Sequence, residues 1–142
     1  MHKLFVYGTL KRGHCNYRRL LSNANFLGEA TSVSKIYAMA DIGFPLVWEL
    51  ADAACGASIK GELFEVDDKV IAHCDELEGH PDMYQRRQGL FQRAPVGRRA
   101  PYIPAIGNDV FVTAWVYIWN GVPPSGAKVI ATNSEGVLDW RG

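Results

Sequence analysis

The sequence is poor in the residues that would mark a specialised class. Its three cysteines, Cys15, Cys55 and Cys74, are an odd number without a CxxC pair, which excludes a disulfide framework and fits a reducing compartment with buried or idle thiols. Histidine is scarce too. The nearest set of metal-type ligands is His73, Cys74 and His80, and neither CxxC nor HxxxH spacing occurs among them, so no metal and no cofactor are expected. No apolar run approaches the roughly 18 residues of a membrane span. The start runs from Met-His-Lys straight into a strand-like stretch, without the apolar segment and small-residue cleavage site of a secretory signal, so a cytoplasmic protein with no membrane partner is expected. Fifteen basic and fifteen acidic residues cancel. No global field therefore draws the chain to nucleic acid or anionic lipid, and the expected partner is a small molecule. There is no linker-like shift in composition, which points to a single domain over residues 1–142. Nor is there a repeated strand and helix alternation, which excludes a doubly wound parallel sheet.

What is present is 48% apolar against 21% charged residues, the balance of a globular domain, patterned mostly as β. Strands are expected at Leu4–Tyr7, once or twice within Phe26–Ala40, at Ser58–Val66 and at Gln88–Gln92. The longest, Val110–Trp119, places Val110, Val112, Ala114, Val116 and Ile118 on one face and Phe111, Trp115, Tyr117 and Trp119 on the other. A strand apolar on both faces needs a core on each, as in a small closed or half-closed barrel. The expected fold class is α+β: a small mixed, partly open β-barrel with short flanking helices. Residues 41–58 and Arg93–Asp109 read as loops. Five arginines fall between Arg86 and Arg99, the place to look for a phosphate or RNA contact. Zero net charge and the lack of interleaved aromatics favour a solvated face there.

One helix is informative. Asp67 or Asp68 can cap a helix over Asp67–Gly79, and Gly79 followed by Pro81 stops it. With Val70 at zero and 100° per residue, Cys74 falls at about 40°, Leu77 at about 340°, Ile71 at about 100° and Glu78 at about 80°, while Asp75 sits at about 140° and Glu76 at about 240°. Glu78 thus lies inside the apolar arc and Glu76 outside it. A carboxylate on a buried face at a helix C-terminus is disfavoured when charged, by desolvation and by the helix dipole. Its pKa should rise, which suits a proton shuttle. Two plainer readings stay open: the last turn frays, or Glu78 pairs with Arg86 or Arg87.

The stretch "KLFVYGTLKRG", Lys3 to Gly13, reads as a strand ending on Gly-Thr. Backbone amides there leave the ladder, Gly8 admits close approach of another molecule, and Lys11 and Arg12 add positive potential; such a cluster favours a carboxylate or a developing oxyanion. The alternative is an ordinary turn.

Taken together, "FVYGTLKRGHCNYRRL", the stretch Cys74 to Gly79 with "PDMYQRR" behind it, and "AWVYIWN" followed by a Pro-Pro pair resemble the γ-glutamylcyclotransferase-like family, and within it the γ-glutamylaminecyclotransferases. The resemblance implies a small mixed β-barrel with flanking helices and a cavity at the end of the first strand. By motif, it implies that Tyr7, Gly8, Thr9 and Leu10 form the substrate-binding loop, that Glu78 is the catalytic glutamate, that Tyr84 walls the cavity and that Arg86 holds the fold. The implied activity is that of a lyase. The substrate's own α-amine attacks its γ-carbonyl, releasing an amine or amino acid and 5-oxoproline, with Glu78 as base and then acid. Alternatives are a non-catalytic ligand-binding or interaction protein on the same barrel, and removal of a γ-glutamyl protecting group in a biosynthetic pathway.

Overall fold

The structure is a computed structural model in which residues 1–94 and 110–141 are described. In chain order the elements are β1 (His2–Val6), α1 (Cys15–Leu20), β2 (Asn25–Ser32), β3 (Tyr37–Asp41), β4 (Pro45–Glu49), β5 (Ser58–Val66), α2 (Asp68–Glu78), β6 (Tyr84–Arg93), β7 (Phe111–Trp119), β8 (Lys128–Val129) and β9 (Val137–Leu138). Five strands form a ring in the order β1–β7–β6–β2–β5, closed where β5 pairs back onto β1. This is the expected small mixed barrel, closed instead of partly open because β5 pairs with both β1 and β2: β1 and β7 run parallel, the other ring neighbours antiparallel. Its shortest antiparallel seam joins Ala30–Ser32 of β2 to Phe91–Arg93 of β6. In its pairing with β5, β2 carries a bulge between Phe26 and Gly28, and the buried guanidinium of Arg93 of β6 donates to the Leu27 carbonyl within it.

Alternation along the strands divides the apolar residues between two cores. Phe5, Leu27, Leu63, Phe91 and Val116 come from all five ring strands and meet in one cluster, with Phe5 stacked on Phe91 at 3.9 Å between ring centroids. Their neighbours in sequence, among them Leu4, Val6, Phe64 and Tyr117, face outward into a second cluster that includes Ile71 and Cys74 of α2. The long strand β7 serves both cores, as its pattern requires. Its aromatic face is buried only toward the C-terminal end, since Tyr117 is buried while Phe111 is 55% exposed.

Residues 41–58, read from sequence as a loop, instead contain β4, which pairs with β3 in the small sheet β4–β3–β8. The turn between them is tight because the Asp41 carboxylate accepts from the Gly43 amide and Gly43 adopts φ 102°. Pro45 heads β4, a position that needs no ladder donor. Likewise β6 begins at Tyr84, earlier than the expected Gln88, and the Arg93–Asp109 loop lies outside the described residues from residue 95 onward. Among the described residues no helix is long and apolar enough to cross a membrane.

Candidate active site

Helix α2 carries the acid. Asp67 caps it, its side chain accepting from the Val70 amide at 2.8 Å, and Gly79 ends it in the left-handed region at φ 67°. Its buried residues are Ile71 and Cys74. Their arc, about 40° to 100° on the helical wheel, contains Glu78 at about 80°. Leu77, expected inside the arc, is 36% exposed: at about 340° it lies some 90° from the centre of the packed face. The last turn keeps its hydrogen bonds, with the Gly79 and His80 amides both donating to the Asp75 carbonyl.

Glu78 lines a pocket at the C-terminal end of β1. On one side is the loop Tyr7–Leu10; on the other are Phe44 and Pro45 from the β3–β4 hairpin, with Tyr84 and Tyr117 completing the wall. The loop is a turn closed by the Lys11 amide donating to the Gly8 carbonyl at 2.9 Å. Among the described residues nothing accepts from the amides of Gly8, Thr9 or Leu10. Asn16 of α1 donates from Nδ2 to Thr9 Oγ1 at 2.8 Å, which occupies an acceptor site of the hydroxyl and leaves its proton free to be given elsewhere.

The tyrosines are structural at their polar ends. Tyr7 donates to the Tyr117 carbonyl at 2.7 Å and Tyr84 to the Pro45 carbonyl at 3.0 Å. Burial raises both phenols, and the proximity of Glu78 adds to it, so both stay protonated. Tyr117 donates to Asp75 at 2.7 Å, and Asp75 also accepts a bidentate pair from Arg86 at 2.8 and 3.1 Å. Burial alone would raise Asp75, but the bonds from Arg86 and Tyr117 outweigh it and hold the carboxyl below its ordinary range. Glu78 has no such help. With Arg86 committed to Asp75 and Arg87 to Glu49, the ion-pair alternative for Glu78 falls. Burial pushes its carboxyl from 4.5 up to about 7. The Cys74 thiol beneath it is pushed up to about 12 by burial and by the two nearby carboxyls, so it is inert.

A turn of free amides at a strand end, facing a desolvated glutamate across an aromatic cavity, is the arrangement the sequence motifs imply. The family model for gamma-glutamyl cyclotransferase, AIG2-like proteins matches residues 4–141. The chain belongs to that family. It is similar to a Methanocaldococcus jannaschii protein provisionally named as a gamma-glutamylcyclotransferase, 40% identical over the full length of both chains. It is also similar to the human gamma-glutamylaminecyclotransferase, 33% identical over 91% of this chain and 86% of that one. Among solved structures it resembles an AIG2-like protein from Mus musculus with a TM-score of 0.65 and 25% identity, over 100% of this chain and 97% of that chain.

In this gamma-glutamyl cyclotransferase family member the six residues singled out from sequence, Tyr7, Gly8, Thr9, Leu10, Glu78 and Tyr84, all line one cavity. Two expectations about the loop need correction. Gly8 does not leave open space, because a Cβ there would come within 2.6 Å of Pro45 Cγ; the glycine makes room for the hairpin as well as for a ligand. Lys11 and Arg12 do not direct free positive charge at the cavity. Lys11 binds the Trp140 carbonyl and Asp139, and Arg12 binds Glu62. Sequence reasoning also missed Phe44 and Pro45, hidden in a stretch read as a loop, and Tyr117, hidden in an apolar strand. The one available signal for Tyr117 was a phenol on a buried face, which needs a polar partner.

Proposed function

We propose that this protein cyclises γ-glutamyl amines or γ-glutamyl amino acids, forming 5-oxoproline and the free amine. The observation that carries the reading is Glu78: an unpaired carboxyl in an aromatic cavity, beside a turn of uncommitted amides, with its pKa raised to about 7. Near neutrality such a group exists in both protonation states and can do two proton transfers. As a carboxylate it takes a proton from the substrate's α-ammonium. The neutral amine attacks the γ-carbonyl carbon, and a five-membered ring forms. The Gly8–Leu10 amides and the Thr9 hydroxyl hold the folded substrate and stabilise negative charge on the former carbonyl oxygen. As the carbon–nitrogen bond to the leaving amine breaks, Glu78 returns its proton to that nitrogen. The ring nitrogen, which still carries two hydrogens and a positive charge, then gives its second proton by way of the regenerated carboxylate to the released amine. The amine departs as an ammonium ion and leaves the neutral lactam. No nucleophile from the protein is required, which agrees with the inert Cys74.

Incubation with a panel of γ-glutamyl amines and γ-glutamyl amino acids, followed by assay of 5-oxoproline, tests the reading. For an active substrate kcat/KM should rise with pH as Glu78 ionises around pH 7. Binding without 5-oxoproline release from any member of the panel would favour a ligand-binding role instead.

A further inference from the structure

The two walls of the cavity come from segments far apart in sequence, the loop 8–11 and the hairpin 41–45, and one residue near the C-terminus touches both. Trp140 follows β9, which is fixed by parallel pairing of Ser58 with Val137 and Ile59 with Leu138. Its ring is 6% exposed and sits in the barrel core cluster. Its indole Nε1 donates to Asp41 Oδ2 at 3.2 Å, while the other oxygen of Asp41 holds the Gly43 amide in the hairpin turn. Its carbonyl accepts from Lys11 Nζ at 2.5 Å, and the preceding Asp139 lies 3.7 Å from the same ammonium. Lys11 closes the loop turn, and Asp41 opens the hairpin that delivers Phe44 and Pro45 to the cavity. Where the two walls meet, Pro45 fills the space beside Gly8. Trp140 itself is not among the cavity's lining residues.

We propose that Trp140 is a positioning residue that, through Asp41 and Lys11, holds the hairpin against the loop and sets the width of the cavity facing Glu78. A side chain anchored in the core by its ring and bonded at its polar edge to an Asx turn gives that turn one orientation, and the loop is tied to the same residue's backbone. If the tie is cut, the walls separate and the folded, near-attack form of the substrate is held less well. The proposal rests on the substrate occupying this cavity, as assigned above.

Two changes cut the same bond from opposite ends, one of them, Asp41→Asn, isosteric. Trp140→Phe removes the indole N–H and keeps an aromatic ring. Asp41→Asn keeps an oxygen for the Gly43 amide and sets an NH₂ against the indole donor. Each should raise KM about five- to tenfold and leave kcat within about twofold, and the double variant should be no worse than the poorer single one, because both remove one interaction. Hydrogen exchange should accelerate together at amides 41–44 and 8–11 while the β6–β7 ladder is unchanged. KM effects that multiply in the double variant, unchanged KM in the folded protein, or exchange that rises evenly across the barrel would overturn the proposal. Should Trp140→Phe fail to fold, Asp41→Asn alone carries both measurements. Exchange needs no turnover, so an inactive wild type counts against the assigned reaction and leaves exchange to decide the role of Trp140.

Discussion

At the scale of single residues, Glu78 carries opposite consequences for activity and for stability. Glu78→Gln keeps the shape and removes the proton shuttle of the proposed reaction, so 5-oxoproline release should fall at least about a hundredfold. Glu76→Gln, on the exposed face of α2, should behave like wild type. The folded state binds the Glu78 proton more tightly than the unfolded chain, since its pKa is about 7 against 4.5. Wild-type stability therefore falls as pH rises from about 4.5 to about 7, and the deficit is complete above that window. Glu78→Gln lacks the deficit. Urea denaturation should find it more stable than wild type by about 1–3 kcal/mol at pH 8, with the difference gone below pH 4.5. Asn16 permits a second test at this scale. Because Asn16 donates to Thr9 Oγ1, the hydroxyl can give its proton to a ligand. Asn16→Asp turns the partner into an acceptor, which captures that proton. KM should rise more in Asn16→Asp than in Asn16→Ala, and equal effects would mean that Asn16 only fills space.

At the scale of elements, α2 is latched to the barrel by Asp75, on the boundary of its packed face. Arg86 of β6 and Tyr117 of β7 both donate to that carboxylate, and Arg86 also stacks over the Trp115 ring at 4.4 Å. Arg86→Met leaves Asp75 with Tyr117 alone and should cost about 1–3 kcal/mol in urea denaturation. The Asp75 pKa is lowered, so the latch is intact above the unfolded value of 3.8 and is lost as pH falls through the folded one. The loss in Arg86→Met should accordingly fade in acid. Much of this helix was legible beforehand. Asp67, Gly79, Ile71, Cys74 and Glu78 each announced their place through capping or periodicity. Leu77 misled because periodicity alone weights every apolar residue equally, whereas the packed arc is set by what lies opposite. The Asp75–Arg86–Tyr117 triad was invisible, since it joins three elements through contacts that no local pattern encodes.

At the scale of the whole molecule, the barrel rests on β5, which pairs with β1, β2 and β9. Where β5 crosses β1, a Cβ on Gly61 would lie 2.2 Å from the Val6 carbonyl oxygen and 2.7 Å from the Phe5 ring. Backbone cannot yield as a flexible side chain can, so Gly61→Ala should destabilise the fold by more than about 2 kcal/mol. A thermal melt shifted by less than a few degrees would contradict so close an approach. The barrel itself was foreseeable from β7, whose two apolar faces demand a core on each side. The ring order was not, because β1–β7 and β1–β5 pairing depend on strands distant in sequence. The hairpin with Phe44 and Pro45 escaped for a related reason: glycine, proline and aspartate mark a turn but do not say whether strands flank it.

The solitary state of Glu78 also bears on how the cavity would empty. It is the only carboxyl among the described lining residues, and no lysine or arginine accompanies it there. A γ-glutamyl substrate enters with an ammonium group that such a site can retain. In 5-oxoproline that nitrogen is a lactam and carries no charge, so the attraction ends with the chemistry, while the product's remaining carboxylate is repelled by ionised Glu78. In the proposed reaction, departure is thereby favoured by the chemistry itself. Inhibition by 5-oxoproline should be weak at pH 8 and should strengthen as pH drops through about 7, where Glu78 becomes neutral. In Glu78→Gln the affinity for 5-oxoproline should lose that pH dependence.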